Sequence, residues 1–176
     1  MRDRLWRQSV ICAMAAQLIA ERSRLLDPDV AFVGGLMQNI GLLLLARKHP
    51  DIFSELEERC IEHQSTFYPV ERELLGFDHA DLAALVLSHW ALGEQLIDAV
   101  AAHHRLEGTS EPEFFPAIVA LAEELALRLG GGPTEERTDD LARLVAARRL
   151  SLDTNAFEEI SEQLAQMLQD RTLLQF

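Results

Sequence analysis

The sequence predicts an all-α protein, a bundle of amphipathic helices. Apolar residues recur at helical spacing almost from end to end, and no stretch alternates apolar and polar residues as a half-buried strand would. Prolines and glycines punctuate the periodic runs where helices would start or stop, at Pro28, Pro50, Gly76 and Gly93.

The first helix is expected over residues 3–25, with Leu5, Trp6, Val10, Met14, Leu18 and Ile19 on one side and arginine and glutamate on the other. Asp27 then offers an N-cap and Pro28 a first-turn residue whose missing N–H costs little. The second helix so begun is expected to run through Gln38 and Asn39 to about Lys48, where His49-Pro50 stops it. A third, over residues 51–63, has Ile52, Phe53, Leu56 and Cys60 on its apolar face and an acidic face opposite. Pro69 opens a short helix that Gly76 terminates as a C-terminal cap. Asp78, with Asp81 a turn later, resembles a capping arrangement for a helix reaching Trp90. Gly93 breaks that helix, and another follows from Glu94 to about His104. Beyond a polar linker over residues 106–112, residues 113–129 are again periodic and close at Gly130-Gly131-Gly132-Pro133. That glycine run ends a helix and does not open one, so it does not read as a phosphate-cradling loop. The last helices are expected over residues 138–149 and 153–170.

At 176 residues, 48% apolar and 26% charged, the chain is expected to form one domain over residues 1–176 with its own core. Lys and Arg number 16 against 29 Asp and Glu, and the resulting net charge of −13 opposes attraction to phosphate backbones and anionic surfaces. Neither nucleic acid nor membrane is expected as a partner. Cys12 and Cys60 lie in apolar helical patterns without CxxC spacing and read as buried, reduced thiols of a cytoplasmic protein. The apolar run over residues 31–46 is read as too short for a bilayer, which takes about 20 residues, and no signal-peptide pattern precedes it.

Gln38 and Asn39 stand side by side in the most apolar part of the chain, with no charged residue nearer than Asp29 or Arg47. Each buried amide group left without a partner costs about 1–3 kcal/mol. The pair therefore either ties neighbouring helices by hydrogen bonds or hydrogen-bonds a small ligand. Of the histidines, His79, His89, His103 and His104 come into question, but no HExxH spacing is present. His103 and His104 are adjacent, about 100° apart on a helix, and are not expected to face one ion from it. His79 opens its helix, where the dipole disfavours imidazolium, and is expected to be neutral at neutral pH. Glu71 and Glu73 read as carboxylates complementing a helix start, and no serine lies in a Gly-x-Ser-x-Gly elbow, so no catalytic residue is assigned.

Several segments in order resemble the HDOD domain, the HD-related output domain of bacterial signalling proteins. They are Leu5-Trp6-Arg7-Gln8-Ser9; the stretch from Ala31 through Gln38-Asn39-Ile40-Gly41; Glu71 to Gly76 followed by His79-Ala80; Trp90-Ala91-Leu92-Gly93; and Ala101-Ala102-His103-His104. The resemblance covers about residues 5–104, and helices over 113–170 are compatible with the family's tail. It implies an HD-like helical bundle acting in signal transduction. In catalytic HD relatives a metal is held by a His near the Gln8 position, a His-Asp pair at Gln38-Asn39, and further His or Asp residues downstream. Here those three positions are amides, while His79, His103 and His104 remain. The candidates for a ligand pocket or degenerate metal pocket are thus Gln8, Gln38, Asn39, His79, His103 and His104. Three histidines without a carboxylate anchor are expected to hold a divalent ion poorly, so neither metal nor cofactor is assigned. HDOD domains generally carry several helices before the Trp-x-x-Ser segment. Their absence here implies a fragment or short variant whose Leu5, Trp6 and Val10 lack cover, favouring a homodimer through the first helix or a protein partner. The implied function is a non-enzymatic regulatory module that binds a protein partner, a neighbouring signalling domain or a small ligand. The alternative is a metal-dependent phosphohydrolase of nucleotides or cyclic dinucleotides that uses His79, His103 and His104.

Overall fold

In the computed structural model, which describes residues 2–106, 113–130 and 140–169, ten helices and no strand are found among the described residues. They are α1 (Arg2–Ser23), α2 (Pro28–Met37), α3 (Ile40–Lys48), α4 (Pro50–Glu62), α5 (Phe67–Leu75), α6 (His79–His89), α7 (Glu94–Ala102), α8 (Phe114–Gly130), α9 (Asp140–Arg149) and α10 (Thr154–Gln169). Most of the linker over 107–112, the glycine run from Gly131 and the expected last residue, Asp170, lie outside the described residues.

Most of the expected punctuation holds; Pro69 is the exception, since α5 starts at Phe67, two residues before the proline expected to open it. The Asp27 side chain accepts the Asp29 N–H at 2.9 Å to cap α2, with Pro28 in its first turn. Pro50 opens α4 immediately after α3 has ended. Gly76 caps α5 at φ +78°, a left-handed conformation that strains residues carrying a Cβ.

Two expectations about the second helix need correction. The run over residues 28–48 is not one continuous helix, because Gln38 and Asn39 interrupt it and divide α2 from α3. Asn39, at φ −95° and ψ 9°, has left the helical basin. Nor is the run too short to cross a bilayer: Pro28–Lys48 spans 21 residues and is apolar enough to do so by length and composition. Yet 44% of its apolar window is buried within the protein, where α2 packs on α1 and α8 and α3 packs on α6.

Helix α1 is the axis of the molecule. Ile11, Cys12, Ala15, Ala16 and Ile19 are fully buried in one core with Ile118, Leu121 and Leu125 of α8 and Phe157 and Leu164 of α10. A second core gathers Leu5 with Leu42, Leu45, Phe53, Leu56 and Val70 from α3, α4 and α5. Leu5 is therefore covered by this chain's own helices and Val10 packs against the larger core, so of the expected bare trio only Trp6 stays exposed, at 42%. Cys12 and Cys60 are both buried and free.

Close backbone approach draws the helices together at small residues. A Cβ at Gly35 would lie 2.6 Å from the Cys12 carbonyl oxygen, which lets α2 sit on α1. A Cβ at Gly41 would lie 2.2 Å from the His79 carbonyl oxygen, so the start of α3 rests directly on the start of α6. That second approach places the Gln38-Asn39 break beside the site described next.

Candidate metal centre

Two helix ends and one helix face converge on a buried group of side chains. Helix α6 starts at His79 because Asp78 and Asp81 form a reciprocal capping box, with Asp81 N–H to Asp78 Oδ1 at 2.9 Å and Asp78 N–H to Asp81 Oδ2 at 3.3 Å. Helix α7 ends at Ala102, leaving His103 as its C-cap and His104 in the turn beyond. Helix α8 contributes Glu123, one turn after Val119 and two after Phe115, which pack on Ala99 of α7.

One ligand atom from each of His79, His103, His104 and Glu123 lies within 4.8 Å of the others. His79 Nε2 is 3.0 Å from His104 Nε2, and Glu123 Oε2 is 3.6 Å from His103 Nε2. Glu123 Oε1 is 4.0 Å from His79 Nε2. A tetrahedral ion with metal–nitrogen bonds near 2 Å would set its ligand atoms about 3.3 Å apart. The group is close to that spacing. Two expectations fall here. His103 and His104 do reach one point: their ring centroids lie 3.9 Å apart, although His103 keeps a right-handed helical backbone at φ −61° and ψ −25°. The histidines also have a carboxylate anchor, Glu123, which sequence reasoning passed over.

The imidazoles are oriented from behind. His103 Nδ1 lies 2.6 Å from the Val100 carbonyl oxygen. A carbonyl only accepts, so Nδ1 carries the proton and Nε2, which has no hydrogen-bond partner, presents its lone pair to the group. His79 Nδ1 lies 2.6 Å from Glu71 Oε2, which also accepts the His79 backbone N–H at 3.1 Å. Glu71 is 1% exposed, so it is a buried partner of His79 and not a helix-start carboxylate in solvent. Glu73 is exposed, as is His89, and both lie outside the group.

Burial lowers the pKa of all three imidazoles, but their neighbours divide them. His103 is pushed down to about 3 by burial and by the nearby His79, against the opposing Val100 carbonyl. His104 is held well below its usual value by burial, His103 and His79. At His79 burial is outweighed by the charge and hydrogen bond of Glu71, with Glu123 and Asp78 adding to them, and the pKa rises to about 9. The expectation of a neutral His79 is thus overturned for the metal-free site: a helix start does not set the charge when a buried carboxylate touches the ring.

A second layer holds these segments in register. Arg72 of α5 pairs with Asp81 at 2.8 Å and Asp78 at 3.3 Å, and Arg105 pairs with Asp81 at 2.9 Å and donates to the Ala101 carbonyl. Tyr68 stacks on His104 with ring centroids 4.4 Å apart. The side chains of His104 and Glu123 are 15% and 13% exposed, against 2% for His79 and 0% for His103, so solvent reaches the group from their side.

Gln38 and Asn39 are 0% and 1% exposed, and none of their four amide nitrogen and oxygen atoms has a hydrogen-bond partner. The reading in which they tie helices by hydrogen bonds is overturned. The Gln38 amide neighbours the Cys12 thiol, and its interaction with the thiol works against the rise in pKa that burial causes there. Burial raises that thiol's pKa and the charge of Glu123 raises it further, which places Gln38, Cys12 and Glu123 in one region of the interior. Gln8 is buried on α1 at 4% and is not among the four ligand residues.

Glu123 is the site residue that sequence reasoning missed, and Glu71 the one it set aside as a helix-start carboxylate. Each stands four residues after a buried apolar residue, Phe67 and Val119, and so at a core position of its helix. A carboxylate in register with the apolar stripe is the signal that would have found both.

The HDOD domain model matches residues 1–106 of this chain. An HDOD domain protein from Geobacter sulfurreducens is 26% identical, with a TM-score of 0.75 over 98% of this chain and 61% of that one. The MmoQ response regulator of Methylococcus capsulatus strain Bath is 25% identical, with a TM-score of 0.62 over 90% of this chain and 60% of that one. This chain thus spans about three fifths of the length of each of these structures. No curated protein matches it.

Proposed function

The chain belongs to the HDOD family, and we propose that it works as a regulatory module whose responsive centre holds one divalent metal ion without hydrolysing a substrate. One observation carries this reading: the ligands form a single compact group, and the neutral amides of Gln38 and Asn39 stand where catalytic HD relatives keep a His-Asp pair. Water-activating two-metal sites hold their ions about 3.5–4 Å apart, bridged and neutralised by carboxylates. Neutral amides bring no charge to offset a second ion.

The residues present suit one ion. Three imidazoles and a carboxylate are a donor set for zinc, and equally for ferrous iron or manganese. His79, His103, His104 and Glu123 would hold it, and His103 Nε2 is a buried nitrogen lacking any other partner. Such an ion supplies a Lewis acid. The chain's own residues shape how far that acidity reaches: Tyr68 covers one face of His104, and Glu123 borders the solvent side.

A second reading, a single-ion phosphohydrolase, is favoured by that partial exposure of His104 and Glu123, through which a small phosphodiester could approach. Metal content and turnover of bis(p-nitrophenyl) phosphate separate the two. The regulatory reading expects one tightly held ion per chain and no turnover. Hydrolysis that disappears in His103→Ala would replace it with the second.

A further inference from the structure

We infer that Glu71 is a positioning residue for the metal ion, acting through His79: its carboxylate fixes the His79 ring so that Nε2, and not Nδ1, is the ligand atom. This deepens the single-ion reading and rests on it.

The argument starts with where Glu71 sits. It comes from α5, which contributes no ligand, and occupies a fully buried core position one turn after Phe67. A buried carboxylate needs strong partners to offset its desolvation. One of its oxygens finds two on the same residue, the Nδ1 and the backbone N–H of His79, at 2.6 and 3.1 Å. Two bonds to one residue restrain both the ring rotation and the main-chain position from which the ring projects. An ionised carboxylate only accepts, so Nδ1 keeps its hydrogen and Nε2, once the ion displaces the imidazolium proton, is the nitrogen left to ligate.

His79 Nε2 does face the group, 3.0 Å from His104 Nε2 and 4.0 Å from Glu123 Oε1. The Val100 carbonyl does the same for His103, with a neutral acceptor in place of a charged one. Orienting partners of this kind raise ligand basicity, and their removal typically weakens metal affinity 10–100-fold. The charged partner is therefore expected to matter more than the neutral one.

The test titrates the metal-free full chain with cobalt(II) and reads the visible ligand-field bands. Wild type and Glu73→Gln, an exposed change on the same helix, are expected to bind with equal affinity, and Glu71→Gln about 10–100-fold more weakly. Long-range proton–nitrogen spectra of the zinc-loaded wild type should show His79 protonated at Nδ1 and ligated at Nε2, a state that a merely structural Glu71 would not fix and that needs no variant to fold. Unchanged cobalt affinity in Glu71→Gln, or ligation through Nδ1, overturns the positioning role and leaves the metal reading standing. Failure of the wild type to bind cobalt or zinc overturns both.

Discussion

At the scale of residues, the site sets opposing demands on its three histidines, and the sign of each gives a pH profile. His79 has its pKa raised to about 9, so its contribution to stability is complete below the unfolded value near 6.5 and is lost as pH rises through 9. His103, lowered to about 3, and His104, also lowered, contribute fully above 6.5 and lose that contribution as pH falls. The metal-free protein is expected to be most stable near pH 6.5, with urea midpoints falling on both sides. A midpoint that stays level from pH 5 to pH 8 would contradict the burial of His103 and His104 and the pairing of His79 with Glu71. Gln38 makes a second residue-scale case. With both amide atoms unpartnered, Gln38→Met keeps the side chain's length and removes two buried polar groups. It should raise the unfolding free energy by roughly 1–2 kcal/mol, read by urea denaturation. A loss of stability instead would mean that the amide is satisfied, by the Cys12 thiol or by water.

At the scale of elements, the helices were legible because their ends are written locally. Asp27-Pro28, His49-Pro50, Gly76 and the Asp78–Asp81 box each act through neighbours within one turn, so sequence alone placed them. The site was legible only in part. His79, His103 and His104 could be named, but their convergence depends on how α6 and α8 pack against α7, which local spacing does not encode. The break at Gln38-Asn39 escaped for a similar reason: no proline marks it, and Asn39, though it stands at the N-cap of α3, makes no side-chain capping bond, while α2 packs on α1 and α3 on α6. Gly41 bears this out in testable form. Gly41→Ala drives a Cβ into the His79 backbone and should cost at least about 1–3 kcal/mol, while shifting His79 enough to weaken metal binding. Gly93→Ala meets nothing within 4 Å and should leave both the thermal midpoint and the metal affinity close to wild type. Equal effects from the two would remove the α3–α6 contact from the account of the site.

At the scale of the whole molecule, the family match and the packing do not end at the same place. The match stops at residue 106, yet α1 is buried by helices that follow it, and Glu123 lies on one of them. Ile118, Leu121 and Leu125 of α8 with Phe157 and Leu164 of α10 are all 0–1% exposed. Fully burying such side chains contributes about 1.5–3 kcal/mol each before chain entropy is set against it, so losing five of them removes a large share of the driving force for folding. A chain cut after Leu106 would expose Ile11, Ala15 and Ile19 along α1 and would lose the carboxylate of the ligand group. That fragment is expected to melt without a cooperative transition and to bind hydrophobic dye at room temperature, whereas the full chain melts in one sigmoidal step that zinc moves upward. A fragment of residues 1–106 with a sharp transition would show that the matched region carries its own core, and that the later helices serve the metal centre alone.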